Sequence, residues 1–174
     1  MNWIIESKRL NFRKISKSDF NSLRTILQDS EVMYAWEHAF TDEEVNEWIN
    51  KNLIRYANEG YSYFAVIVKS TNDFIGVIGP LIEDINGTQH IGIAYILNKR
   101  YWGKGYALEG AEACMNYAFS KLNADKVIAQ IRPNNLPSRR IAEKLNMKIE
   151  SEYVKHYNNI DMPHLIYSRT KISV

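Results

Sequence analysis

The chain contains a single cysteine, Cys114, so it can form no internal disulfide, and it suits a reducing compartment. It has no apolar run near the roughly 18 residues that a membrane helix requires. Its first residues, Met1 to Lys8, lack the apolar stretch of a signal peptide. It has little excess charge: a formal net charge of +2 does not make the concentrated basic face of a nucleic-acid binder. No group of His, Cys, Asp and Glu has metal-ligand spacing, so no metal is expected. Repeats, low-complexity tracts and Pro/Gly/Ser linkers are also missing, so residues 1–174 are expected to form one domain. These absences leave a cytoplasmic globular protein that works without membrane, nucleic acid or metal. At 174 residues a chain buries about 70% of its unfolded surface on folding, so its core needs no covalent staple.

What is present is a mixed pattern of strands and helices. Residues Ile4 to Arg13 read as a first strand. Phe20, Leu23, Ile26 and Leu27 recur at helical spacing within Asp19–Asp29. Thr41 and Glu44 form a capping box that starts a helix running to about Asn58, before Gly60. Tyr61–Lys69 and Phe74–Ile85 are rich in β-formers and read as a hairpin, with a bulge or bend expected at Gly79-Pro80. Asn86-Gly87 is a strong hairpin turn, leading into a strand from Gln89 to Leu97. A helix over Ala107–Leu122, a strand over Asp125–Arg132 and a short helix over Pro137–Leu145 follow. Two strands, Lys148–Tyr157 and Met162–Lys171, end the chain. Cys114 shares a helical stripe with Ala111, Met115 and Ala118, which makes it a core residue and not a nucleophile.

The segment Arg100-Tyr101-Trp102-Gly103-Lys104-Gly105-Tyr106-Ala107 sits between a strand and a helix. Two glycines at such a junction let several N–H groups converge, and the helix start adds its positive dipole end. The segment therefore predicts a phosphate cradle. It is not a Walker loop, because Gly103-Lys104 is followed by Gly105 and not by Ser or Thr. It is not a dinucleotide fingerprint, because the third glycine position holds Leu108.

The cradle is followed by Asn135-x-x-Ser138 and by Glu143-Lys144-Leu145-Asn146-Met147. With Tyr95 before the loop, this set resembles the GNAT acyltransferase superfamily, which moves acyl groups from coenzyme A to amines. The Ser7-Lys8-Arg9-Leu10-Asn11-Phe12-Arg13 segment is similar to the RimJ/RimL-type branch. The resemblance implies an α/β (α+β) fold: a mostly antiparallel sheet of about six to seven strands, about four helices, and a splayed parallel strand pair that forms the cofactor cleft. It implies that backbone of Tyr95, Ile96 and Leu97 pairs with the pantetheine arm. It places the pyrophosphate on N–H groups of Gly103, Lys104, Gly105, Tyr106 and Ala107, with Trp102 beside them. It assigns Asn135 to the pantetheine arm and Ser138 to protonation of the leaving thiolate. The co-substrate implied is acetyl-CoA, and the partner is an amine acceptor, a peptide N-terminus or a small amine. A homodimer is left open.

Many relatives in this superfamily carry Glu in a Glu-Ile-Gly-Tyr pattern ending at the position of Tyr95. Here the segment reads Gly92-Ile93-Ala94-Tyr95, so the resemblance offers no general base at position 92. A lysine amine, pKa about 10.4, lies roughly three units from neutrality at pH 7.4, about 4 kcal/mol. An α-amine is already roughly a third neutral, so the missing base favours acceptors of low pKa. Glu37 and His38 are the candidate substitutes, with Trp36 and Tyr157 as acceptor-site aromatics. Glu83 and Asp84 are expected to flank the Asn86-Gly87 turn in a structural role. The absence of a base also leaves open a non-catalytic sensor that binds acyl-CoA.

Overall fold

Residues 64–68, Phe-Ala-Val-Ile-Val, are apolar on both sides of the strand, and all five are buried at the centre of the sheet. The computed structural model describes residues 2–157 and 159–172. Among them the strands are β1 (Ile5–Glu6), β2 (Leu10–Lys14), β3 (Phe64–Val68), β4 (Phe74–Ile85), β5 (Thr88–Leu97), β6 (Lys126–Ile131), β7 (Lys148–Tyr157) and β8 (Ile160–Thr170). The helices are α1 (Phe20–Leu27), α2 (Asp42–Glu59), α3 (Tyr106–Lys121) and α4 (Leu136–Lys144). The strands form one sheet in the order β1-β2-β3-β4-β5-β6-β8-β7.

All neighbours are antiparallel except β5 and β6, which α3 joins as a crossover. That parallel pair is short. Only Ile91↔Val127 and Gly92↔Ile128 are paired, although β5 continues to Leu97 and β6 to Ile131. Beyond Gly92 the two strands part, and β5 keeps its other edge on β4 as far as Gly76↔Leu97. The fold is that expected from the resemblance, and the eighth strand is the two-residue β1.

Local chemistry fixes the element ends. Thr41 Oγ1 accepts from Glu44 N at 3.2 Å while a Glu44 carboxylate oxygen accepts from Thr41 N at 2.8 Å, closing the predicted capping box. In α3 the stripe Ala111, Cys114, Met115, Ala118 is fully buried. Burial pushes the Cys114 thiol well above its ordinary pKa, which keeps it protonated and inert. Asn86 and Gly87 take φ of 52° and 84°, the twist a two-residue hairpin needs.

Two expectations need correction. The first strand is broken: Ser7-Lys8-Arg9 forms a turn, with Ser7 N donating to Leu10 O at 2.9 Å, and β1 folds back on β2. Three polar residues with a hydroxyl that can bond Leu10 favour a turn over a continuous strand. Gly79-Pro80 carries no bulge, because it pairs regularly with Ala94 and Ile93. The irregularity lies between Val66 and Ile67 on β3.

Candidate active site

At the end of β5 the chain turns through Lys99–Tyr101, with Asn98 Oδ1 accepting from Arg100 N at 3.0 Å. Trp102 folds back so that its indole N–H donates to Leu97 O at 3.0 Å. Gly103 and Gly105 then take φ of 73° and 82°, left-handed values that a side chain would strain. Gly105 caps α3 and delivers the free N–H groups of its first turn to the loop.

A brace from the N-terminal hairpin holds this loop. Arg9 donates through its backbone N and its Nε to Glu109 at 2.7 and 2.6 Å, and through its guanidinium to Lys104 O at 2.9 Å. The guanidinium also lies 4.4 Å from the centre of the Tyr106 ring. Ser7 Oγ donates to the same Glu109 carboxylate at 2.7 Å. Burial alone would raise the Glu109 pKa, but these bonds from Arg9 and Ser7 outweigh it and hold the carboxyl below its usual value. Lys104 turns its ammonium onto the Tyr101 ring, 5.3 Å from its centre.

Where β5 and β6 part, a cleft of about 1010 Å³ opens. It is lined by Tyr95, Ile96 and Leu97 of β5, by Trp102, Gly103 and Gly105 of the loop, by Tyr106 and Ala107 at the start of α3, and by Asn135 and Ser138 at the start of α4. These residues, distant in sequence, thus share one cavity, of a size that accommodates a large ligand. The unpaired edge of β5 and the glycine loop offer backbone donors at two points along it, which fits a long, phosphate-bearing cofactor arm.

The Tyr95 hydroxyl donates to Ser138 Oγ at 2.7 Å. Burial pushes the Tyr95 phenol up to about 12, partly opposed by its bond to Ser138, so the pair holds its protons at neutral pH. Asn135 Oδ1 accepts from Ser138 N at 3.3 Å, so Asn135 caps α4, with Pro137 in the first turn.

Of the acceptor-side candidates, Trp36 and Tyr157 line the cleft. Glu37 and His38 do not border it. Glu37 is held by an ion pair with Arg132. His38 Nδ1 lies 3.2 Å from Trp36 O and its Nε2 lies 3.0 Å from a Glu44 oxygen.

The residue that sequence reasoning misplaced is Glu83. Asp84 does flank the turn, accepting from Gly87 N at 2.8 Å. Glu83 instead turns into the cleft, where Gln130 Nε2 donates to it at 2.7 Å. A Cβ on Gly92 would lie 2.5 Å from the Glu83 carboxyl carbon, so that carboxylate fills the space a side chain at 92 would need. Burial raises the Glu83 pKa, against the opposing effects of Gln130, Lys155 and Arg55. The buried Oε1 of Gln130 has no hydrogen-bond partner among the described residues. A signal for this was in the sequence: a two-residue turn at Asn86-Gly87 fixes Ile85 opposite Thr88, hence Leu81 opposite Gly92 and Glu83 diagonal to it on the same face.

Residues 9–148 match the acetyltransferase (GNAT) domain family. A Bacillus subtilis protein described as the uncharacterized N-acetyltransferase YnaD is 32% identical over 152 residues, 87% of this chain and 86% of that one. The crystal structure of a GNAT-family acetyltransferase from Bacillus anthracis superposes with a TM-score of 0.81 at 30% identity, covering 95% of this chain and 97% of that one. RimL, the ribosomal L7/L12 α-N-protein acetyltransferase, shares the fold with a TM-score of 0.79 at 18% identity, over 98% and 94% of the two chains. The chain belongs to the GNAT family and is an acetyl-CoA-dependent acyltransferase.

Proposed function

We propose that residues 1–174 form one domain that acetylates a primary amine, with Glu83 as general base and the Tyr95–Ser138 pair as proton donor. The observation that carries this reading is the Glu83 carboxylate in the space over Gly92, at the point where β5 and β6 part. The strand position that lacks a base is served by its neighbour across the hairpin.

Acetyl-CoA supplies a thioester carbonyl, whose bond to sulfur breaks as the bond to the amine nitrogen forms. Backbone of Tyr95, Ile96 and Leu97 would hold the pantetheine arm, and the N–H groups from Gly103 to Ala107 the pyrophosphate. Glu83 takes the proton that the amine nitrogen must lose. Its raised pKa brings it closer to the operating pH, where a general base is most effective. The Tyr95 hydroxyl, bonded to Ser138 Oγ, passes a proton through Ser138 toward the departing sulfur. Glu37 and His38, tied to Arg132 and Glu44, shape the acceptor-side loop in this scheme. The sensor alternative rested on the missing carboxylate at position 92, and Glu83 removes its motive.

The test is release of free thiol from acetyl-CoA over a panel of primary amines. Glu83→Gln should lower kcat/KM by about 10²–10⁴-fold, the usual share of one acid–base group, and most for amines of high pKa. Full activity in that variant would remove Glu83 from the mechanism, and absence of acetyl-CoA binding in the unaltered protein would remove the whole reading.

A further inference from the structure

The acceptor side of the cleft carries three cations with no partner. Lys51 and Arg55 stand one turn apart on α2, and Lys155 projects from β7; all three line the cleft together with Glu83. Among the described residues none of them makes an ion pair or a side-chain hydrogen bond. Five other cations are paired: Arg9 with Glu109, Arg13 with Asp19, Lys99 with Asp29, Lys126 with Glu150 and Arg132 with Glu37; Arg140 and Lys144 of α4, which also line the cleft, make no ion pair among the described residues. Like charges one helical turn apart cost stability. Here a third joins them from another element, and the Lys51 ammonium is held below its ordinary pKa by partial burial, then by Arg55 and Lys155.

Such a cluster on a concave wall concentrates positive potential where an anion can reach it. It lies on α2 and β7, whereas the glycine loop is braced by Arg9 and opens α3, so the two positive regions belong to different walls. Beside the cluster lie two groups suited to an amine. The Glu83 carboxylate accepts N–H bonds, and the orphaned Oε1 of Gln130 needs a donor. The wall therefore offers a seat for one amine next to a seat for negative charge.

Resting on the reading of Glu83 as the base that receives the amine, we infer that the acceptor is an amine bearing a carboxylate or phosphate near its nitrogen, and that Lys51, Arg55 and Lys155 select it. The same wall disfavours polyamines and other polycationic acceptors, whose further charges would meet three cations beside the Glu83 carboxylate. A free amino-acid-like molecule and a short peptide with an acidic residue after its N-terminus present the same chemistry.

Matched acceptors separate these cases. Phosphoethanolamine is compared with ethanolamine, Ala-Glu-Ala amide with Ala-Lys-Ala amide, and spermidine serves as the polycation, all with acetyl-CoA and the full chain. The anionic member of each pair should show at least tenfold higher kcat/KM, carried by KM, and the advantage should shrink as salt rises. In Lys51→Gln/Lys155→Gln the ratio within each pair should fall toward one. A preference in only one pair identifies the source, small molecule or peptide. Preference for ethanolamine or spermidine, or a variant effect on the Kd of acetyl-CoA in place of the acceptor, would overturn the inference. Should no amine turn over, calorimetric titration of phosphoethanolamine and of Ala-Glu-Ala amide into the CoA complex still decides it. Binding of either that the double variant loses upholds the anion seat while the base assignment fails. Binding of neither sinks the anion seat too.

Discussion

Gly92→Ala is predicted to destabilise the protein, against the usual direction for such a change. Gly92 lies within β5 at an ordinary negative φ, and replacing a mid-strand glycine by alanine normally gains about 0.5–1 kcal/mol. Here the added Cβ would stand 2.5 Å from Glu83 Cδ and 2.6 Å from its Oε2, so the carboxylate must move. Moving it breaks the 2.7 Å bond from Gln130, and a hydrogen bond to a charged group is worth about 1.5–3 kcal/mol. The net expectation is a loss of about 1–2 kcal/mol, or a Tm lower by about 2–8 °C for a chain of this length. Activity should fall with it, because the base has been displaced. The decisive comparison is made in a Glu83→Ala background. With the carboxylate gone, the three atoms nearest the added methyl group go with it, and Gly92→Ala should now raise the Tm by about 1–4 °C. The sign reversal, read by thermal denaturation as a coupling energy above about 1 kcal/mol, is the signature of direct contact. If Gly92→Ala stabilises both backgrounds equally, Glu83 does not occupy the space over Gly92 and the assignment of the base collapses.

Gly105→Ala and Gly60→Ala both place a side chain at positive φ, 82° and 89°, and should each cost about 1–2 kcal/mol. Only the first should also raise the Kd of acetyl-CoA, by about tenfold or more, since one charge-assisted bond to a backbone N–H is worth about 1.5–3 kcal/mol; equal Kd values in calorimetry would separate the loop from the cofactor. Tyr95→Phe should reduce kcat by about 10²-fold while leaving the KM of acetyl-CoA near its starting value; unchanged kcat would take the phenol out of the proton path. Asp19→Asn should lower stability by about 2–3 kcal/mol, because it breaks a two-bond pair with Arg13 of 2.8 and 2.9 Å whose carboxylate is almost wholly buried. Burial pushes the Asp19 pKa up, but Arg13 and the Ser16 N–H outweigh it and the folded value is depressed. Its contribution is therefore present above the unfolded pKa of about 3.9 and lost as pH falls below it. Urea titrations at pH 7 and pH 3 should show the gap between wild type and variant closing at the lower pH.

The glycine-loop half of the cleft was legible because its geometry is local. Two glycines between strand and helix, and an asparagine three residues before a serine at a helix start, carry their geometry in consecutive residues. The half around Glu83 was not, because its groups come from α2, β4, β6 and β7 and meet only through the sheet. Glu83 shows the difference best. Its neighbourhood to the turn suggested a role there, while its side chain follows the two-residue alternation of β4 onto the face of Gly92 and Gln130. Lys51 and Arg55 read as ordinary charged positions on an amphipathic helix, and nothing within α2 reveals that a strand about 100 residues later adds Lys155 beside them. The break in the first strand was missed for a related reason. The Ser7–Leu10 bonds that favour the turn are local, but those that hold Arg9 in it come from Glu109 and Lys104, far along the chain.

That Arg9 brace has a consequence for how the protein handles its cofactor. Ser7 and Arg9 bond Glu109 at the start of α3, and Arg9 bonds the Lys104 carbonyl in the glycine loop, so docking of this turn and order of the loop are coupled. Any ligand that favours the ordered loop must also favour the docked turn, by the same free energy. Saturating acetyl-CoA should then slow hydrogen exchange at the Arg9 amide, which bonds Glu109. A bulky fusion placed directly before Ser7 should weaken cofactor affinity without touching the cleft. The turn between β1 and β2 is thus a latch on the glycine loop.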